Sequence, residues 1–188
     1  MTELAAAFRA VVEACERSRL RYVVVGSTAA AGWGVARTTR DVDIVVQMDQ
    51  EAAAPFLDSL DSNDLYVPTD AASTALRRGG SFNVLHLTTG GKVDVFVVAP
   101  DDEFERSRLG RRVGVDVLGR ASWIATAEDV LLVKLRCRLQ TRSEVQWRDC
   151  VEIAAVNDLD QAYLARWAPK LGVSDDLAEL LGEIDPQG

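Results

Sequence analysis

The stretch from residue 22 to residue 46, YVVVGSTAAAGWGVARTTRDVDIVV, constrains the fold more than any other part of the chain. It opens on an apolar, β-branched run at 22–25, of the length and type that form a buried strand. Gly26 and Ser27 end the run, and the small residues Ala29, Ala30, Ala31 and Gly32 suit a short helix packed closely on a sheet. The chain then returns to a second strand at 42–46, led by Asp41 and Asp43. Side chains alternate faces along a strand, so the two carboxylates project to one side and Val42 and Ile44 to the other. Neighbouring carboxylates repel and resist losing water, and a cation between them relieves both costs. Hard divalent ions such as Mg²⁺ take oxygen ligands of this kind.

A third carboxylate completes the pattern. Residues 92–98, KVDVFVV, read as a strand after the turn signal Thr89–Gly90–Gly91. Asp94 sits between Val93 and Val95 as Asp43 sits between Val42 and Ile44. Three aspartates on neighbouring strands, beside a glycine–serine turn, suit two-metal phosphoryl transfer. The glycine permits close backbone approach, and the serine hydroxyl and exposed N–H groups can bind phosphate oxygens. A dinucleotide-binding loop fits 26–34 poorly, because the segment lacks the G-x-G-x-x-G spacing.

Hydrophobic strand, Gly26-Ser27, Asp41-Val42-Asp43 and Val93-Asp94-Val95, in that order, resemble the signature of the DNA polymerase β-like nucleotidyltransferase superfamily. The segments RTTRDVD (37–43), SFNV (81–84), KVDVF (92–96), EDVLLVK (128–134) and QWRD (146–149) are similar to a bacterial subgroup, itself similar to the toxin-type nucleotidyltransferases of abortive-infection systems. The resemblance spans roughly residues 20–168. It implies an α/β fold with a small mixed β-sheet flanked by helices, and a helical C-terminal region. Residues 1–125 would form the nucleotidyltransferase core and 126–188 the helical part. It further implies Mg²⁺ or Mn²⁺ held by Asp41, Asp43 and Asp94, which would be the catalytic residues, and an NTP, such as ATP, as substrate. Gly26, Ser27, Arg40 and Lys134 would bind the nucleotide. Subgroup membership would add an RNA acceptor such as tRNA and a cognate antitoxin.

Bulk properties bound these expectations. A 48% hydrophobic content suffices for a real core, and no apolar run approaches the roughly 18 residues of a membrane helix. The N-terminal segment carries acidic residues and no cleavage-type ending, so a secretory signal is not expected. Cys15, Cys137 and Cys150 are odd in number and lie in helix-like segments, which suits a reduced, cytoplasmic protein with cysteines as small core residues. A lone histidine, His86, argues against a histidine-rich zinc site and reads as structural.

Charge separates the acceptor classes. The formal net charge of −8 disfavours a protein that grips a long nucleic acid through phosphates. Yet residues 134–148 carry Lys134, Arg136, Arg138, Arg142 and Arg148 against Glu144 alone, and Arg106, Arg108, Arg111 and Arg112 form a second cluster. The sequence therefore leaves three readings: transfer to RNA, transfer to a small molecule of antibiotic type, and a non-catalytic interaction module of the same fold. Arg37 and Arg40 read either as contacts to triphosphate or acceptor, or as surface charges beside the carboxylates. Lys134 either snorkels to water or points into a pocket. Arg148 and Asp149 form either a pair that positions Lys134 or two helix-surface charges. Asp116, opposite Val115 and Val117 on an expected edge strand, reads as outward-facing.

Overall fold

A computed structural model describes residues 3–36 and 38–184. The expected helix cap Thr2 and the loop residue Arg37 lie outside the described residues. The chain divides into two compact units, one comprising 1–28 and 38–125, the other 29–37 and 126–188.

The first unit is built on a seven-stranded mixed sheet. Its strands are β1 (Arg21–Val25), β2 (Asp41–Gln47), β3 (Leu65–Tyr66), β4 (Gly80–His86), β5 (Lys92–Val98), β6 (Val113–Val117) and β7 (Arg120–Ile124). They run in the order β3-β4-β5-β2-β1-β7-β6. The β2–β5 and β1–β7 pairs are parallel and the others antiparallel. Helix α1 (Glu3–Arg17) packs on β1, β2, β4 and β5. It presents Phe8, Val11, Val12 and Cys15, all fully buried. The strands present Val42, Ile44 and Val46, Phe82 and Val84, and Val93, Val95 and Val97, one buried row on each strand. Period-two alternation meets period-3.6 amphipathicity here, and each buried side chain of this size contributes roughly 1.5–3 kcal/mol.

Two details seat α1. Thr89 donates its hydroxyl hydrogen to the Glu3 carbonyl, and a Cβ at Gly91 would lie 2.2 Å from that same oxygen. Only glycine allows the turn between β4 and β5 to approach the helix so closely. At the other end Arg120 on β7 bridges Glu13 at 3.2 Å and Glu16 at 2.5 Å. The helix α3 (Gln50–Leu60), capped by Asp49, rests on α1 through Phe56 and Leu60. The unit also contains α4 (Thr69–Arg78) and α5 (Glu103–Arg111), and Asp102 caps the latter. His86 accepts the Thr89 N–H in the turn, and exposed Asp116 accepts the Gly119 N–H. Both have the structural roles expected of them.

Several elements differ from expectation. Helix α2 (Gly26–Gly32) starts directly at Gly26, so the glycine–serine step is the first turn of the helix itself. Helix α4 was not anticipated; its alanines at 72 and 75 bury a narrow stripe. Strand β7 was not anticipated either.

The second unit is helical: α6 (Ala127–Thr141), α7 (Glu144–Val156), α8 (Gln161–Leu171) and α9 (Ser174–Ile184). Helix α6 packs on α7 and α8, and α9 on α7 and α8. Thr126 caps α6 by accepting the Asp129 N–H, and the fully buried Asp129 carboxylate accepts the hydroxyls of Thr126 at 2.9 Å and Tyr163 at 2.6 Å. Asp160 caps α8, accepting the Tyr163 N–H. Pro169 lies inside the last turn of α8, and Gly172 closes the helix in a left-handed conformation. Among the described residues no helix is long and apolar enough to cross a membrane.

Truncating Phe8 to Ala should cost about 3–5 kcal/mol in a urea unfolding curve, because it empties the centre of the α1–sheet interface. Burial raises the Cys15 thiol far above its ordinary range and pushes the Cys150 thiol up to about 12. Cys137, only half-buried, should therefore be the one thiol of the three to react readily with a thiol reagent in the native protein, with all three reacting in denaturant.

Candidate active site

The parallel pairing of β2 with β5 sets the site. Asp43 lies opposite Asp94 and Asp41 opposite Lys92 in register, so three carboxylates and one ammonium share a face of the sheet. Asn83 on β4 continues the row beyond Asp94, and Val25 on β1 continues it beyond Asp43. The opposite faces of β2 and β5 are the buried apolar rows under α1, which leaves the acidic row only this side. Like charges directly opposite one another on a sheet destabilise it. At the effective dielectric near a protein surface, two carboxylates about 5 Å apart repel by roughly 3 kcal/mol.

Lys92 offsets part of that. Its Nζ lies 2.8 Å from Asp94 Oδ2 and 3.3 Å from Asp41 Oδ2. The hydrogen bond to Asp94, with the two carboxylate charges, holds the ammonium above its ordinary range against the opposing effect of burial. Among the described residues Asp94 Oδ1 is buried with no hydrogen-bond partner. Asp41 also accepts the Thr39 hydroxyl at 3.0 Å.

Gly26 determines where Asp43 can be. Its φ of +62° is left-handed, and a Cβ built there would lie 2.0 Å from Asp43 Oδ2. The backbone at the start of α2 thus lies against the Asp43 carboxylate, in space that no other residue leaves free. Ser27 follows, half-buried. The structure therefore brings Asp41, Asp43, Asp94 and Gly26 together within the first unit, with Ser27 adjacent in the chain. Arg40 precedes Asp41 and is exposed, and Lys92 lies against Asp41 and Asp94.

The donor set can be tested against a divalent ion. Hard carboxylate oxygens are what Mg²⁺ or Mn²⁺ takes, and the unpartnered Asp94 Oδ1 is an oxygen for which a cation would compensate. Among the described residues, however, no three acidic, histidine or cysteine side chains close into a metal-ligating group. Lys92 bridges two of the three carboxylates. The residues fit the ion by chemistry, with the ammonium in competition.

Lys134 belongs to the second unit. It is buried, with Nζ 2.7 Å from Asp149 Oδ2 and 3.1 Å from Gln146 Oε1. The lysine pairs with Asp149 directly, and Arg148 faces Glu152 at 3.8 Å. Val35, Ala36, Arg148, Asp149 and Glu152 line a pocket of about 260 Å³ in that unit. In the first unit a cavity of about 310 Å³ lies between α3, β3 and α4, lined by Leu57, Leu60 and Tyr66 among others, and none of the site carboxylates reaches it.

The arginine clusters are less available than their sequence suggests. Arg108 is buried in an ion pair with Glu105, and Arg112 donates to the Leu109 carbonyl and stacks on Trp123. Arg138 pairs with Asp176 at 2.5 Å and stacks on Trp147.

The fold has a counterpart among solved structures. An antigenic nucleotidyltransferase-like protein from Paracoccidioides brasiliensis superposes with a TM-score of 0.58 at 17% identity, over 95% of this chain and 92% of that one. The fold is nucleotidyltransferase-like. Weaker similarity extends to ANT(2'')-Ia in complex with adenylyl-2''-tobramycin (TM-score 0.49, 11% identity, 89% of this chain and 96% of that one). It also extends to JHP933 from Helicobacter pylori (TM-score 0.47, 16% identity, 97% and 74%). At these identities the likeness is one of fold. No protein-family model matches the chain, and no curated protein matches its sequence.

Sequence reasoning passed over Lys92 and Asn83. Both were legible in principle: Lys92 stands two residues before Asp94 and therefore shares its face, and Asn83 precedes the β4–β5 turn at the matching distance.

Replacing Gly26 with Ala should cost about 1–3 kcal/mol from the left-handed backbone alone and force the Asp43 carboxylate aside. Chemical denaturation would register the first effect. A crystal structure of the variant should show Asp43 in a different rotamer with the sheet unchanged.

Proposed function

We propose that this protein is a metal-dependent nucleotidyltransferase, moving a nucleoside monophosphate from an NTP to an acceptor hydroxyl and releasing pyrophosphate. The observation that carries this reading is the register of β2 and β5, which sets Asp43 beside Asp94, and Asp41 on the same face, with Gly26 against Asp43. The nucleotidyltransferase-like fold supports it. Asp41, Asp43 and Asp94 would hold Mg²⁺ or Mn²⁺. Bound there, the ions supply charge to the leaving pyrophosphate and lower the pKa of the attacking hydroxyl.

The chain's own residues then have distinct tasks. The acceptor oxygen attacks the α-phosphorus, and the bond from that phosphorus to the oxygen bridging to the β-phosphate breaks. Asp94 takes the acceptor's proton. Gly26 and Ser27 hold phosphate oxygens through backbone N–H groups and the hydroxyl, and Arg40 adds positive charge to the nucleotide.

The acceptor divides the reading. A toxin-like enzyme acting on RNA such as tRNA, held in check by a cognate antitoxin, rests on the two arginine-rich stretches. A small-molecule acceptor is favoured by the net charge of −8 and by the pairing of Arg108, Arg138 and Lys134 with acidic partners, which reduces the charge left for a phosphate backbone.

Incubation with each α-labelled NTP and Mg²⁺ or Mn²⁺, first with total RNA and separately with metabolite extract, tests both levels. Transfer should fall by at least about 10²–10³-fold in Asp41→Asn or Asp94→Asn, as for loss of one major electrostatic contributor to a transition state. Label in RNA selects the first acceptor and label in a small compound the second. Absence of transfer together with absence of metal-dependent NTP binding would reject the enzymatic reading in favour of an interaction module.

A further inference from the structure

Lys92 is the site residue whose presence the metal-binding reading does not explain. Its backbone sits opposite Asp41 and two residues before Asp94, so the strand register alone aims its side chain across the acidic row. The ammonium donates to Asp94 Oδ2 at 2.8 Å and lies 3.3 Å from Asp41 Oδ2. A divalent ion shared by Asp41 and Asp94 needs these same oxygens. Two cations that close, on one pair of ligands, oppose each other.

The side chain is built to leave. It is 33% exposed, at the start of β5, on a flexible four-carbon stem whose head can swing to solvent without disturbing the backbone. Asp41 is more open still, with 38% of its side chain exposed. Asp94 is held more deeply, and the ammonium satisfies one of its oxygens while the other, Oδ1, is buried without a partner among the described residues.

We propose that Lys92 is the resident counter-ion of the carboxylate row, an internal competitor that a divalent ion must displace on loading. The inference rests on the reading of Asp41, Asp43 and Asp94 as metal ligands. In the metal-free protein Lys92 offsets the repulsion that would otherwise loosen the β2–β5 pair. On loading, its ammonium swings out toward solvent. The site thereby exchanges an internal cation for an external one, and its affinity for metal alone is set lower than its three carboxylates would otherwise give.

The test is a Mn²⁺ titration of metal-free protein without nucleotide, read from the electron paramagnetic resonance signal of free Mn²⁺. Wild type, Lys92→Met and Lys92→Arg are compared. Lys92→Met should bind Mn²⁺ about tenfold tighter or more, a change of about 1.4 kcal/mol, while Lys92→Arg stays near wild type. Equal or weaker binding by Lys92→Met overturns the inference and leaves the metal-binding reading intact. If no protein binds Mn²⁺, even with an NTP present, the metal-binding reading fails and the inference with it. Thermal melts of the metal-free proteins supply a second readout. Lys92→Met should melt below wild type, and the gap should close when Asp41 and Asp94 are both Asn; a gap that persists contradicts the counter-ion role. Should Lys92→Met not fold, Lys92→Gln replaces it in both measurements.

Discussion

Like-charge repulsion between carboxylates on adjacent strands is the constraint to which the rest of the first unit is fitted. Asp43 and Asp94 are placed side by side by the same backbone hydrogen bonds that pair Val42 with Val93 and Ile44 with Val95. The register cannot slip to separate the charges. A shift of one residue would turn Val42, Ile44, Val93 and Val95 away from α1 and bury the aspartates in their place. Hydrophobic burial on one face of the two strands thus enforces electrostatic stress on the other. The stress is the useful product, since a row of carboxylates that cannot move apart attracts a cation.

Gly26 and Lys92 manage that stress in different ways. Gly26 takes up a left-handed conformation at the first residue of α2, and its missing side chain leaves room for the Asp43 carboxylate. Lys92 supplies a charge of the needed sign from within the sheet. One is steric and permanent, the other electrostatic and movable. In the second unit the buried charges are managed differently: Lys134 is matched by Asp149, and Asp129 by the hydroxyls of Thr126 and Tyr163. Those groups are paired within their own unit, as buried polar groups normally are.

Much of this was legible in the sequence because it rests on short periodicities. Strand alternation put Asp41 with Asp43 and set Asp94 in an equivalent context, and the helical spacing of Phe8, Val11, Val12 and Cys15 marked α1. What was not legible depends on partners distant in the chain. Residues 120–124 include Arg120, Ala121 and Ser122, a weak strand signal that becomes β7 because β6 and β1 flank it. Helix α4 has only alanines for its buried stripe, so no strong apolar period announces it. The role of Lys92 depends on which residue of β2 stands opposite, which the composition of β5 alone does not specify. The same holds for the arginines: Arg108 and Arg138 look like free surface charge until Glu105 and Asp176 are brought beside them.

We read the acidic row of β2 and β5 as a divalent-metal and nucleotide site. Its most direct test is a crystal of the protein grown with Mn²⁺ and a non-hydrolysable NTP analogue, measured for manganese anomalous scattering. Such a site should give anomalous peaks within coordination distance of Asp41, Asp43 and Asp94, triphosphate density beside Gly26 and Ser27, and Lys92 Nζ withdrawn from Asp41. A map with nucleotide and manganese at another site, and with Lys92 still bridging Asp41 and Asp94, would contradict it.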